Sequence, residues 1–263
     1  MIFGANWTSP RHLPIIRALR TQGRIDFCEV MIDNFIHLSP DSLKSAFPET
    51  PLSFHIMNSQ FMRRDAGELK SLASKLKAFI RELSPTYVSD HLADFSHAGR
   101  RYPFPQEIDY HRDHRLATDR VKQWQETVGT RLLFENYPSI LDQGRAQPEF
   151  LDSLVQETGA GLLLDLSNAV VARLNCGLPL AAWTPLIQRA DRFHAAGYRT
   201  ADTQPPIVQD SHDCELSVET LSFMRRSKPL LDGRECSIVI ERDAEIAVDS
   251  WSKDIAAARA ALA

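Results

Sequence analysis

One pattern recurs from end to end of this 263-residue chain: a short run of apolar, β-forming residues followed by a stretch with helical periodicity. The runs are Ile2–Asn6, Phe27–Met31, Leu52–Ile56, Tyr87–His91, Arg131–Asn136, Gly161–Asp165, Arg192–Gly197 and Ser237–Arg242. Most are continuously apolar rather than alternating, as suits strands of a parallel sheet covered on both faces. Between them, Leu69, Leu72, Leu76, Phe79, Ile80 and Leu83 form one apolar stripe, with Lys70, Lys75, Lys77, Arg81 and Glu82 opposite. Further helices are predicted over Asp109–Val128 and Pro148–Thr158, closed by Gly129 and Gly159, and over Ser217–Ser227 and Ser250–Leu262. Eight strands alternating with helices predict an α/β chain closed as a (β/α)8 TIM barrel, which uses about 250 residues. No Gly/Ser linker, repeat or low-complexity block interrupts the pattern, so residues 1–263 are expected to form a single domain. The rival, an open doubly wound sheet, is disfavoured because Asn6-Trp7-Thr8-Ser9-Pro10 is no glycine-rich phosphate turn.

Charge and composition narrow the function classes. Thirty Lys and Arg against 34 Asp and Glu give a net charge of −4, which argues against non-specific nucleic-acid binding. No run approaches the roughly 18 apolar residues of a membrane span. The first residues, MIFGANWTSPRHLPII, lack the basic-then-apolar order of a secretion signal, so a cytoplasmic protein is expected. Cys28, Cys176, Cys214 and Cys236 have no CxxC spacing and are read as reduced thiols.

In such a barrel the C-terminal ends of the strands form the mouth where chemistry occurs. Read in order, those ends supply His55, Asp90 and His91, Glu135 and Asn136, Asp165 with Asn168 just beyond, His194, and Glu241 with Asp243. The loop after the seventh strand adds Asp210 and His212. Singly, each has an ordinary structural explanation: a histidine hydrogen-bonded in the core, or an aspartate such as Asp165 capping a helix. Together they are harder to explain, because several unpaired carboxylates buried in one mouth cost many kcal/mol without cations. Four histidines and four carboxylates (Glu135, Asp165, Asp210, Glu241) exceed the needs of one ion with about four to six ligands, so a multinuclear metal site is expected. Imidazole and carboxylate without thiolate suit Fe, Mn or Zn, and leave di-zinc hydrolysis and iron-dependent oxidation both open. Glu135, central among the candidates, is best placed to bridge two ions. His111 and His114 read as a solvated helix face, His12, His37 and His97 receive no ligand role, and Trp124 and Trp251 read as packing residues.

The segments SFHIMNSQFM, YVSDHLADFSHAGR, RLLFENYPSI, LLLDLSNAVV, FHAAGY, DSHD and IVIERD also resemble a known family. It is that of the multinuclear non-haem iron-dependent oxidases, TIM barrels that modify ribosomally made peptides. Ile32–Pro40, HIMNSQFM and ENYPSI are most similar to its methanobactin-biosynthesis branch. The resemblance implies two or three iron ions, of mixed valence, held by His55, His91, Glu135, Asp165, His194, Asp210, His212 and Glu241. Asn136 and Asn168 would be ligands or their neighbours, with Asp90, Asp243 and Glu29 behind them, and catalysis would depend on Glu135, Asp210 and His212. The implied reaction is a four-electron oxidation of a precursor-peptide cysteine, with O2 as co-substrate, to an oxazolone and an adjacent thioamide. The resemblance further implies a companion protein that captures the peptide leader and forms a heterodimer with the barrel. The aromatic, Arg- and Pro-rich segment from Phe95 to Ile108 offers either a surface for that partner or a lid on the mouth. Some relatives carry a Cys-containing tail that does not follow the last helix here, so no tail function is expected. A zinc or manganese barrel enzyme of the xylose isomerase/endonuclease IV type shares these ligand types. The short Arg pairs argue against its nuclease form, and the absence of a strand-end Lys argues against its isomerase form.

Overall fold

The computed structural model describes residues 1–97 and 99–263, apart from the side chains of His97 and Pro103. Among the described residues, eight parallel strands close into a ring. They are β1 (Ile2–Trp7), β2 (Phe27–Met31), β3 (Leu52–Ile56), β4 (Val88–His91), β7 (Leu133–Glu135), β8 (Gly161–Asp165), β9 (Arg192–Ala196) and β12 (Ser237–Glu241). Two antiparallel hairpins lie outside the ring. One joins β5 (Asp94–His97) to β6 (Arg100–Gln106), the other β10 (Tyr198–Ala201) to β11 (Ile207–Asp210). Strand β1 seals the barrel by pairing with both β2 and β12. The fold is the (β/α)8 barrel expected from the sequence.

Helices α1 (Leu13–Thr21), α2 (Pro40–Ala46), α3 (Ala66–Leu83), α4 (His114–Val128) and α5 (Gln147–Thr158) follow the first strands. Helices α6 (Leu166–Cys176), α7 (Thr184–Arg189), α8 (Val218–Leu231) and α9 (Val248–Leu262) complete the outer layer. The main core lies between this layer and the outer face of the barrel, and includes the buried Trp124, Trp183 and Trp251. A separate apolar floor, Phe27, Tyr87, Leu133, Leu163 and Val239, packs within the ring. Gly4 makes room for it: a Cβ there would meet the Phe27 ring at 2.6 Å. Because strand side chains alternate between faces, the residues two positions further on share the floor's face. Those residues are Glu29, Ser89, Glu135, Asp165 and Glu241. The floor therefore fixes which polar side chains stand above it.

Several boundaries depart from the sequence reading. The fifth barrel strand is shorter than Arg131–Asn136, because Asn136 turns out of the ladder to hold the backbone of Asp165. The long fourth helix begins at His114, since Asp109 and Asp113 tie up a preceding turn with side-chain bonds to backbone N–H groups. Helix α8 continues through Pro229 to Leu231. Helices α1, α2 and α7 are too short to declare a period, and α6 is buried on nearly every side, which erases an amphipathic stripe.

Candidate metal centre

Four histidines meet at the mouth, and each has one ring nitrogen engaged from behind. His55 Nδ1 lies 2.8 Å from Ser89 Oγ, which itself donates to the Phe54 carbonyl and so accepts from the ring. His91 Nδ1 donates to the Ile56 carbonyl at 3.1 Å. His212 Nδ1 donates to Asp243 at 3.1 Å, and His194 Nε2 faces Glu29 Oε1 at 2.8 Å. In His55, His91 and His212 the proton belongs on the supported nitrogen, which leaves the other lone pair free for a cation, whereas His194 Nε2 and Glu29 are close but out of line for a hydrogen bond.

Those free nitrogens point at carboxylates. Glu135 is the hub: Oε2 lies 3.4 Å from His55 Nε2 and 3.2 Å from His91 Nε2, and Oε1 lies 3.3 Å from His194 Nδ1. His194 Nδ1 is also 3.1 Å from Glu241 Oε2. Two groups have donor atoms within 4.8 Å of one another: His55, Glu135 and His194, and Glu135, Asp165, His194 and Glu241. They share Glu135 and His194. Asp210 and His212 arrive from outside the barrel on the β10–β11 hairpin and the loop after it, 2.9 Å apart. His212 adopts a left-handed backbone (φ 51°), held by its N–H on Gly197 O and by Asp243 N–H on its own carbonyl. The backbone around Cys214 presses so closely on Gly197 that no Cβ fits there.

Asp165 does two jobs. One oxygen caps α6 by accepting from Asn168 N–H at 2.7 Å, while the other is buried without a hydrogen-bond partner. Asn168 Oδ1 is likewise unpartnered, and its amide nitrogen donates to the Asn136 carbonyl. Asn136, expected as a ligand or a ligand's neighbour, has both its amide atoms on the backbone of Asp165, at 2.9 and 2.6 Å. It braces the ligand-bearing loop. Asp90 faces away from the mouth and accepts from Trp124 Nε1 and from His91 N–H. Trp124 is thus a packing residue that also anchors this strand end. Asn6, which bonds Asp243, and the pair Ser89 and Tyr87 escaped the sequence reading. Strand parity offered a signal for the last two, since both precede His91 by even steps.

The electrostatics fit cations. Burial raises the Asp165 carboxyl well above its ordinary range, and Asp210, Glu135 and Glu241 add to the shift. Burial works to raise Glu135 too, but the imidazoles of His194, His91 and His55 outweigh it and hold the group low. Burial and then His91 push His55 down to about 3. For His194, burial opposes charge, yet Glu241, Glu29 and Glu135 raise it well above the histidine range. His212 is raised in the same way by Asp210 and Glu241 against burial. Unpartnered buried atoms remain on Glu29, Asp165, Asn168, His194, Asp210 and His212, so the close contacts among them are out of line for hydrogen bonds. Oxygen and nitrogen donor atoms that converge out of line for hydrogen bonds suit divalent or trivalent ions.

These shifts predict how the metal-free protein responds to pH. His194 and His212 bind protons more tightly when folded, so their stabilisation is complete below about pH 6.5 and is lost as pH rises through their folded values. The raised Asp165 and Glu241 act with the same sign, whereas Glu135 and His55 have finished titrating below neutrality. Urea unfolding of metal-free protein should therefore show stability falling as pH rises above about 6.5. Added metal should remove that dependence, because bound cations replace the protons. A flat metal-free profile would contradict this charge balance.

A cavity of about 590 Å³ opens over the cluster. His55, His91, Glu135, Asn168 and Glu241 line its floor, and Met31, Met57, Pro138 and Val208 supply apolar walls. Phe104, Pro105 and Gln106 of the β5–β6 hairpin line it as well. The segment rich in aromatics and Arg is therefore, in part, a wall of the mouth.

With this geometry in view, the chain can be set beside known proteins. A UPF0276 protein of Chromobacterium violaceum is 31% identical over 229 residues, covering 79% of this chain and 77% of that one. One from Paraburkholderia phytofirmans is 28% identical over 227 residues, covering 80% and 72%. The solved structure of TTHB071 protein from Thermus thermophilus, soaked with ZnCl2, superposes with a TM-score of 0.65 at 21% identity, covering 99% and 98%. The family described as RiPP precursor modification enzyme MbnB/TglH/ChrH matches residues 4–263. This chain belongs to that family of enzymes, which modify the precursors of ribosomally made peptides.

Proposed function

We propose that this enzyme carries out an O2-dependent, four-electron oxidation of cysteine in a precursor peptide, giving an oxazolone and an adjacent thioamide of the methanobactin type. The observation that carries the metal-dependent part is the pair of overlapping donor groups that share Glu135 and His194. His55, His91, Glu135, Asp165, His194, Asp210, His212 and Glu241 would hold two or three iron ions, with Asn168 Oδ1 as a further donor. Bound iron would supply the redox chemistry, passing four electrons from the substrate to one O2 and yielding two waters. The chain's own residues set the stage. Glu29, Ser89, Asp243 and the Ile56 carbonyl orient the four imidazoles. Met31, Met57, Pro138 and Val208 give the cavity an apolar wall beside the donor groups. Among the described residues no helix is long and apolar enough to cross a membrane.

A companion protein that binds the peptide leader belongs to the same proposal, since binding energy far from the reacting atoms can position the cysteine. The test is anaerobic purification with metal analysis and Mössbauer spectroscopy, then assay of cysteine-containing precursor peptides under O2, with and without the companion. The expected product is lighter by four hydrogens, and turnover follows iron. Zinc or manganese as the only stoichiometric metal supporting turnover overturns the iron oxidase in favour of the xylose isomerase/endonuclease IV type of centre. Full turnover by the isolated chain overturns only the companion.

A further inference from the structure

Among the described residues, large apolar side chains open to solvent are few, and four of them gather at the mouth. Tyr102, Phe104, Ile140 and Leu141 are 36%, 62%, 42% and 59% exposed. Ile140 and Leu141 are carried by the loop after β7, whose backbone is pinned at several points. Asn175 Nδ2 bonds the Ser139 carbonyl at 3.2 Å, and Cys176 Sγ reaches the Leu141 carbonyl at 3.0 Å. The Tyr137 hydroxyl donates to the Pro105 carbonyl at 2.8 Å and ties this loop to the β5–β6 hairpin. A second cavity, of about 350 Å³, adjoins the one over the metal centre, and Gln106, Tyr137 and Ile140 line both. Gln106 and Gln143 bring side-chain amides to this outer space, and Leu141 and Tyr102 bring apolar surface.

The two cavities share Gln106, Tyr137 and Ile140 and so lie side by side as a groove at the mouth, its outer part walled by Tyr102, Ile140 and Leu141 and also by the polar Asp94, Glu107, Arg112 and Gln143. Clustered exposed apolar residues on a pinned loop mark a binding surface. The groove's occupant follows from its continuity with the reaction centre. A residue presented to the centre of a peptide-modifying enzyme has chain neighbours, and they must leave through this opening. We propose that the groove binds the precursor as an extended strand, packing an apolar side chain adjacent to the reacting residue against Tyr137, Ile140 and Leu141. This inference rests on the reading that a cysteine thiolate enters the centre.

The test uses iron-loaded enzyme without O2, titrated with blocked Gly-Cys-Gly, Leu-Cys-Gly and Gly-Cys-Leu peptides and with N-acetylcysteine amide, following thiolate-to-iron absorption. One Leu peptide should bind about 10-fold more tightly than Gly-Cys-Gly, the gain expected for partly burying a leucine side chain. The double variant Ile140→Ser/Leu141→Ser should lose that gain while keeping its iron content and its affinity for N-acetylcysteine amide. Equal affinities for all three peptides, or a gain that survives the double variant, overturn the groove and leave the cysteine reading intact. No absorption with any thiol overturns the cysteine reading and the groove together. If the double variant loses companion binding but keeps the peptide preference, the patch is the companion's and the proposal fails.

Discussion

Replacing Glu135 with glutamine should give a folded barrel that has lost its metal cluster and at least ~100-fold of its turnover. The two side chains have the same shape, so packing around the 6%-exposed Glu135 is preserved. What changes is charge at the hub. Both carboxylate oxygens stand among imidazoles from three different strands, and both donor groups include this one residue. A neutral amide offers one weakly basic oxygen and cannot balance two cations. Metal per chain after anaerobic reconstitution is the decisive measurement, with circular dichroism as the check on folding. Metal content and turnover both near those of the wild type would remove Glu135 from the bridging role.

The second large effect concerns the protein without metal. His194 is fully buried and lies within 3.3 Å of Glu29, Glu135 and Glu241, so its proton compensates three buried carboxylates at once. His194→Gln should destabilise the metal-free protein by about 3–5 kcal/mol at pH 7, the usual loss when one partner of a buried ion pair is removed. The loss should shrink below pH 5, where the carboxylates left behind can protonate and need no partner. Urea unfolding at both pH values tests this. A loss under ~1 kcal/mol at pH 7 would show that the carboxylates are relieved in some other way. A loss that stays constant with pH would point to packing instead of charge.

The strand ends were legible because burial on both faces leaves little freedom in a parallel barrel strand. The apolar run of β8 announces itself, and the polar residue that ends it, Asp165, marks the mouth. Fold, ring order and the candidates His55, His91, Glu135, Asp165, His194 and Glu241 therefore follow from local pattern plus the rule that barrel chemistry sits at strand C-termini. The helices that wrap the barrel were less visible where they are short, as in α2 and α7, or buried on most sides, as in α6.

Tertiary structure alone decided the rest, because those features depend on contacts between residues far apart in the chain. Nothing local shows that Asn136 spends its amide on Asp165, 29 positions on, or that Tyr87 reaches Glu29 across 58 positions. The supported nitrogen of each histidine is set by a carbonyl, hydroxyl or carboxylate on another strand or loop. The two hairpins have partly exposed strands and no long apolar run, yet one of them walls the cavity and the other carries Asp210 to the mouth. Periodic burial writes a strand into the sequence. Coordination geometry, made by single side chains meeting across the barrel, leaves no periodic trace.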